Sequence, residues 1–91
     1  MKPVPKILLE RHGELIQSEG VTVVSHIQRQ VGDWVVQTLM IKDCDVPFKY
    51  KRPQRFKSLL DHKVNLIYYP SKEVIGGFEI EIMQVVRVRR Y

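Results

Sequence analysis

The sequence predicts a small, mainly β protein in which five or six strands close into a barrel, with one short helix around residues 54–60. Three observations predict it. The chain has 91 residues, enough for one domain over 1–91 and no second. Val, Ile, Thr and aromatic residues alternate with polar ones over several short runs. Gly, Pro and Asp punctuate those runs where turns are needed. With 44% hydrophobic and 27% charged residues the composition is that of a globular protein, which excludes a disordered or fibrous chain. A domain of this size buries only about 60% of the surface its unfolded chain exposes, so dimerisation would be a natural reinforcement.

Residues 21–41 are rich in Val, Thr and Ile and are interrupted at Gly32-Asp33, a pair suited to a tight turn, which predicts a hairpin. The rival is an amphipathic helix, because Val21, Val24, Ile27 or Gln28, and Val31 also fall at roughly helical spacing. Strands are preferred. β-branched side chains lose rotamer freedom in a helix, and Gly32 would cost one about 1 kcal/mol relative to alanine. In the second strand Trp34, Val36 and Met40 alternate with Val35, Leu39 and Ile41, so both faces are expected to be partly covered. Asp43-Cys44-Asp45 reads as a turn.

Val46 to Arg52 forms the third strand, with Val46, Phe48 and Tyr50 on one face, Lys49 and Lys51 on the other, and Pro47 at its start. Pro53 can open a helix, and Phe56, Leu59 and Leu60 give residues 54–60 one apolar stripe. The fourth strand covers Lys63 to Tyr69 and is expected to end at Pro70, with Ser71 to Gly76 as a loop. Gly77 releases the chain into a fifth strand carrying Phe78, Ile80, Ile82, Val86 and Val88 on one face. At about 3.3 Å per residue that strand would be about 43 Å long, which requires a bend or bulge near Gln84. The segment from Lys6 to Ile16 supplies either a further strand or a helix.

This order of three strands, a short helix and two strands is similar to that of the OB-fold, a five-stranded Greek-key barrel. The resemblance is topological, spans roughly Val21 to Tyr91 and carries no family motif. An SH3-like barrel, or a sheet with the 54–60 helix packed on it, fits the same pattern.

Enzymatic chemistry finds little support. Cys44 is the sole thiol, so neither a disulfide nor a cysteine-rich zinc cluster can form within the chain. A Cys44/His26 pair is conceivable, yet nothing local marks either residue as activated, and an inert turn cysteine is the more economical reading. Asp43, Cys44 and Asp45 mix hard and soft ligands without a partner cluster, and the two aspartates suit turn hydrogen bonds better than a metal. Gly76-Gly77 precedes a strand rather than a helix, which marks a hairpin and not a phosphate loop. Glu79 and Glu81 lie on one strand face, where Lys63 or Lys72 can neutralise them. No catalytic residue, metal ligand or cofactor is therefore expected.

The charge is uneven. Overall it is +5, but the chain up to Asp45 holds five basic and six acidic residues, while the remainder holds ten basic and four acidic. In VPFKYKRPQRFK the rings of Phe48, Tyr50 and Phe56 interleave with Lys49, Lys51, Arg52, Arg55 and Lys57, with no acid between them. Cations that hold phosphates beside rings that stack on bases make a surface for single-stranded nucleic acid. The candidate contacts are Lys49, Tyr50, Lys51, Arg52, Arg55, Lys57, Tyr69, Arg87 and Arg89. Strict alternation supports a plainer reading, in which Phe48 and Tyr50 belong to the core and the lysines form a solvated face. Arg87 and Arg89 can likewise serve to discourage edge-to-edge strand pairing.

A non-enzymatic binding module is thus expected, with single-stranded nucleic acid as one candidate partner. The alternative is a protein partner or a homodimer that buries Trp34, Met40 or the last strand. A membrane ranks below both, because residues 2–16 do not make a strongly basic amphipathic helix and no lipidation motif is present. Without a visible export signal, and with one thiol, a cytoplasmic setting is expected.

Overall fold

In the computed structural model, which describes residues 15–91, the chain forms β1 (Ile16–Val31), β2 (Trp34–Ile41), β3 (Phe48–Arg52), β4 (Lys63–Ile75) and β5 (Phe78–Arg90). These strands make one sheet that closes in a ring in the order β1-β2-β3-β5-β4, with β4 returning to β1. All neighbours are antiparallel except β3 and β5. The expected further element over Lys6 to Ile16 lies outside the described residues up to Glu14; Ile16 itself opens β1.

β1 closes the ring because it bends. Its first part pairs with β4 and its second with β2, and the register shifts between Ser18 and Val21 and again between Val23 and Ser25. At the first shift Glu19 and Gly20 lie opposite Asn65 alone, and the Asn65 side-chain oxygen accepts the Gly20 N–H at 2.9 Å. Gly20 has φ 65, and a Cβ there would meet the Tyr91 ring at 3.3 Å.

The β1–β2 hairpin turns at Gly32-Asp33 as expected, with Val31 opposite Trp34. The β4–β5 hairpin is longer than expected. β4 does not stop at Pro70 but continues to Ile75, so residues 71–75 are strand and not loop, and only Gly76-Gly77 turn. Both glycines have positive φ, the geometry that a two-residue hairpin loop demands. Pro70 is tolerated opposite Met83 because the Met83 N–H turns away to the Pro47 carbonyl, which makes this a non-hydrogen-bonded pair, so the missing N–H breaks no ladder bond to β5. The bulge expected near Gln84 falls at Val86, which has no partner between the Ile67–Arg87 and Tyr68–Val85 pairs.

The short helix expected over 54–60 is absent. A helix would join the Leu60 N–H to the Phe56 carbonyl. Instead that carbonyl accepts from Gln28 Nε2 at 2.7 Å, and the Leu60 N–H donates to Ser58 Oγ. Of the apolar stripe only Leu59 packs against the core; Phe56 and Leu60 are about half exposed.

The core inside the ring is Val23, Leu39, Ile41, Phe48, Tyr50, Val64, Leu66, Tyr68 and Val85. Phe48 meets Tyr68 edge to face at 4.8 Å. On β2 the alternation separates a buried face of Val35, Gln37, Leu39 and Ile41 from an outer face on which Trp34 is 48% exposed.

Candidate binding site

One polar chain inside this apolar core builds the site. Gln37 is fully buried, and its two ends are satisfied from β1: Oε1 meets His26 Nε2 at 2.7 Å and Nε2 donates to Gln28 Oε1 at 3.3 Å. The Leu59 N–H donates to His26 Nδ1 at 2.8 Å, which makes Nδ1 an acceptor and leaves Nε2 to donate to Gln37. Gln28 brackets Phe56, accepting its N–H at 2.8 Å and donating to its carbonyl at 2.7 Å. Arg55 adds a bond to the Gln28 carbonyl at 3.2 Å. The irregular 53–62 segment is thereby fixed to β1 by side chains rather than by helical bonds of its own.

Held in this way, the segment walls a pocket of about 270 Å³ between β3 and the end of β5. Its apolar surface comes from Tyr50, Phe56, Leu59 and Val88, with the His26 ring behind them, and Arg52, Lys57, Arg89 and Arg90 surround it. Among the described residues no carboxylate lines it. Arg52 lies over the Tyr50 ring with its guanidinium carbon 4.6 Å from the centroid, and donates an N–H to the Lys51 carbonyl. Arg90 leans on the His62 ring at 3.0 Å. Arg52 and Lys51 also line a groove along β3, and Arg89 shares a cleft with Arg87 on the outer face of β5. Cations therefore flank the pocket on both sides.

The candidate contacts divide accordingly. Tyr50, Arg52, Lys57 and Arg89 meet at the pocket, and Lys51 and Arg87 lie in the flanking grooves. Lys49 lines the same β3 groove as Lys51, but its ammonium pairs there with Glu73 at 2.6 Å. Arg55 stands on the fixed segment, and Tyr69 is half-buried on β4 opposite Gln84. Tyr50 is only 6% exposed, so its ring belongs to the core, with Arg52 covering one face. The plainer reading of the alternation thus describes Phe48 and Tyr50. Phe56, half exposed at the pocket, is the ring a ligand can reach. Sequence reasoning missed His26, Leu59 and Val88 as parts of this site and saw Arg90 only as an extension of the basic face beside Arg87 and Arg89. Arg90 was signalled by the crowd of arginines at positions 87–90, whereas the others depend on where the 53–62 segment lies.

Burial pushes the Tyr50 phenol above its ordinary value near 10, and the Arg52 charge pulls weakly in the opposite sense. The folded state therefore binds this proton more tightly than the unfolded chain does. The contribution is complete below about pH 10 and is lost as pH rises through the folded value. In denaturant titrations across pH 8 to 12, Tyr50→Phe should lose less stability above pH 10 than the unmodified protein; parallel curves would contradict this.

Cys44 points its Sγ toward the Val46 carbonyl at 3.9 Å, while both His26 nitrogens are engaged elsewhere. Among the described residues no three His, Cys, Asp or Glu side chains come together as metal ligands, and no helix is long and apolar enough to cross a membrane. Lys72 approaches Glu79 at 3.6 Å across the β4–β5 hairpin. No family model matches this chain, nor does any curated protein or solved structure.

Proposed function

We propose that this chain is a non-enzymatic binding module built on an OB-like barrel, and that it holds single-stranded nucleic acid across the Arg52–Lys57–Arg89–Arg90 pocket. The ring order β1-β2-β3-β5-β4 supports the OB-like reading. The observation that carries the function is the convergence of four cations from β3, the 53–62 segment and β5 on one pocket that no carboxylate among the described residues lines, with Phe56 half exposed among them. Phosphates displace counterions as they meet the cations, and Phe56 offers a face to a base, a contact worth about 1–3 kcal/mol. Lys51 and Arg87 extend the path of the backbone to either side. A cytoplasmic location suits the single thiol.

The test is the salt dependence of oligonucleotide binding. Single strands lose about 0.7 in log affinity per log unit of salt for each phosphate contact, so four contacts give a slope of about −3. A slope near zero would contradict the proposal.

A second reading rests on a separate surface. The outer faces of β1 and β2 and the β4–β5 hairpin form the two walls of a groove lined by Ile27, Val31, Val36, Val74 and Ile75. Val74 is 69% exposed, and Phe78 beside the hairpin turn is 75% exposed. Because both walls are apolar, the hairpin of one copy suits the groove of another, and Arg29 in the groove complements Glu79 and Glu81 on the hairpin. Light scattering should then give a mass above 10.8 kDa that persists in high salt and falls to the monomer in Phe78→Asp. A monomer at millimolar concentration would exclude this reading.

A further inference from the structure

We infer that the pocket takes a single nucleotide unit, with the base against Phe56 and Val88 and the phosphate among Arg52, Lys57 and Arg89. The inference rests on the nucleic-acid reading above and says which part of the strand the pocket holds. A space of about 270 Å³ lies just below the range typical of drug-sized ligands, so it admits one ring system and not a run of stacked bases. The remaining nucleotides must therefore lie in the flanking grooves of Lys51 and Arg87.

The chemistry of the walls divides the work within that unit. The His26 ring has no free hydrogen-bonding nitrogen, since Nε2 meets Gln37 and Nδ1 accepts from Leu59. Phe56, Leu59 and Val88 offer apolar contact, and between them Ser58 adds one hydroxyl, whose oxygen already accepts the Leu60 N–H. A base is held there by stacking and exclusion of water, whereas the phosphate meets guanidinium and ammonium donors beside which no carboxylate among the described residues lines the pocket. Neither half should suffice alone: a nucleoside lacks the charge, and inorganic phosphate lacks the apolar contact.

The experiment compares thymidine 5′-monophosphate, thymidine and inorganic phosphate, following the methyl resonances of Leu59 and Val88 and the displacement of a labelled single-stranded oligonucleotide. The monophosphate should shift both methyl resonances saturably, displace the oligonucleotide, and bind at least about tenfold more tightly than either fragment. Arg89→Glu should abolish these effects without unfolding the protein, as judged by an unchanged dispersion of the remaining resonances. If the oligonucleotide binds but the monophosphate neither shifts those methyls nor displaces it, the single-nucleotide pocket is wrong and the nucleic-acid reading stands. Phosphate alone matching the monophosphate would reduce the pocket to an anion site and likewise overturn the inference. If neither oligonucleotide nor monophosphate binds, the nucleic-acid reading falls and the inference with it.

Discussion

Arg52→Glu, Lys57→Glu and Arg89→Glu should each weaken single-stranded oligonucleotide binding by about tenfold or more, while Lys49→Gln should change it by less than about threefold. The first three residues ring the pocket, and each reversal replaces a charge-assisted contact with repulsion. Each should also flatten the plot of log affinity against log salt by about 0.7, the loss of one phosphate contact. Lys49 is the internal control. It belongs to the same acid-free run of sequence, but its ammonium is occupied by Glu73 at 2.6 Å. Fluorescence anisotropy at three or more salt concentrations separates the two groups. Equal losses at Lys49 and Arg89 would mean that net charge governs binding and the pocket does not.

Gln37→Leu should destabilise the protein by about 1–3 kcal/mol even though it adds apolar surface to the core. Gln37 is fully buried between His26 and Gln28, and leucine deprives the His26 Nε2–H of its buried acceptor. For a domain of this length each 1 kcal/mol lowers Tm by roughly 4–8 °C. The effect should extend to the site, because the same polar chain fixes Phe56 and Leu59. Amide exchange at those two residues should speed up, and oligonucleotide affinity should fall although no cation has been touched. A Tm unchanged within about 2 °C would show that the chain of hydrogen bonds does not hold the segment.

The parts of the fold legible in the sequence are those decided by local chemistry. Gly32-Asp33 marks a turn because glycine can take the φ of 61 found there, and the β-branched runs on either side settle strand over helix. The alternation of Phe48 and Tyr50 with Lys49 and Lys51 reports which side faces the core. Where contacts distant in sequence decide, local reasoning errs. The 53–62 segment has a helical stripe and a helix-opening proline, but Gln28 and His26, more than 25 residues away, take the backbone groups a helix would use. Pro70 reads as a strand end because its effect depends on which way its nitrogen faces in the ladder, and that follows from the register of β4 against β5. The candidate site divides in the same way. Arg52, Lys57 and Arg89 are visible as charge, whereas the burial of Tyr50 and the neutralisation of Lys49 by Glu73 follow from the ring and from the long β4–β5 hairpin.

The most direct test of the central claim is titration of labelled single-stranded DNA and RNA, with duplex DNA for comparison, at several salt concentrations. A pocket for an unstacked base demands preference for single strands, because a duplex keeps its bases from Phe56 while offering the same phosphates to the cations. The account predicts salt-sensitive binding that favours either single strand over duplex by about tenfold, the worth of one stacked base. Weak binding indifferent to strandedness would contradict it.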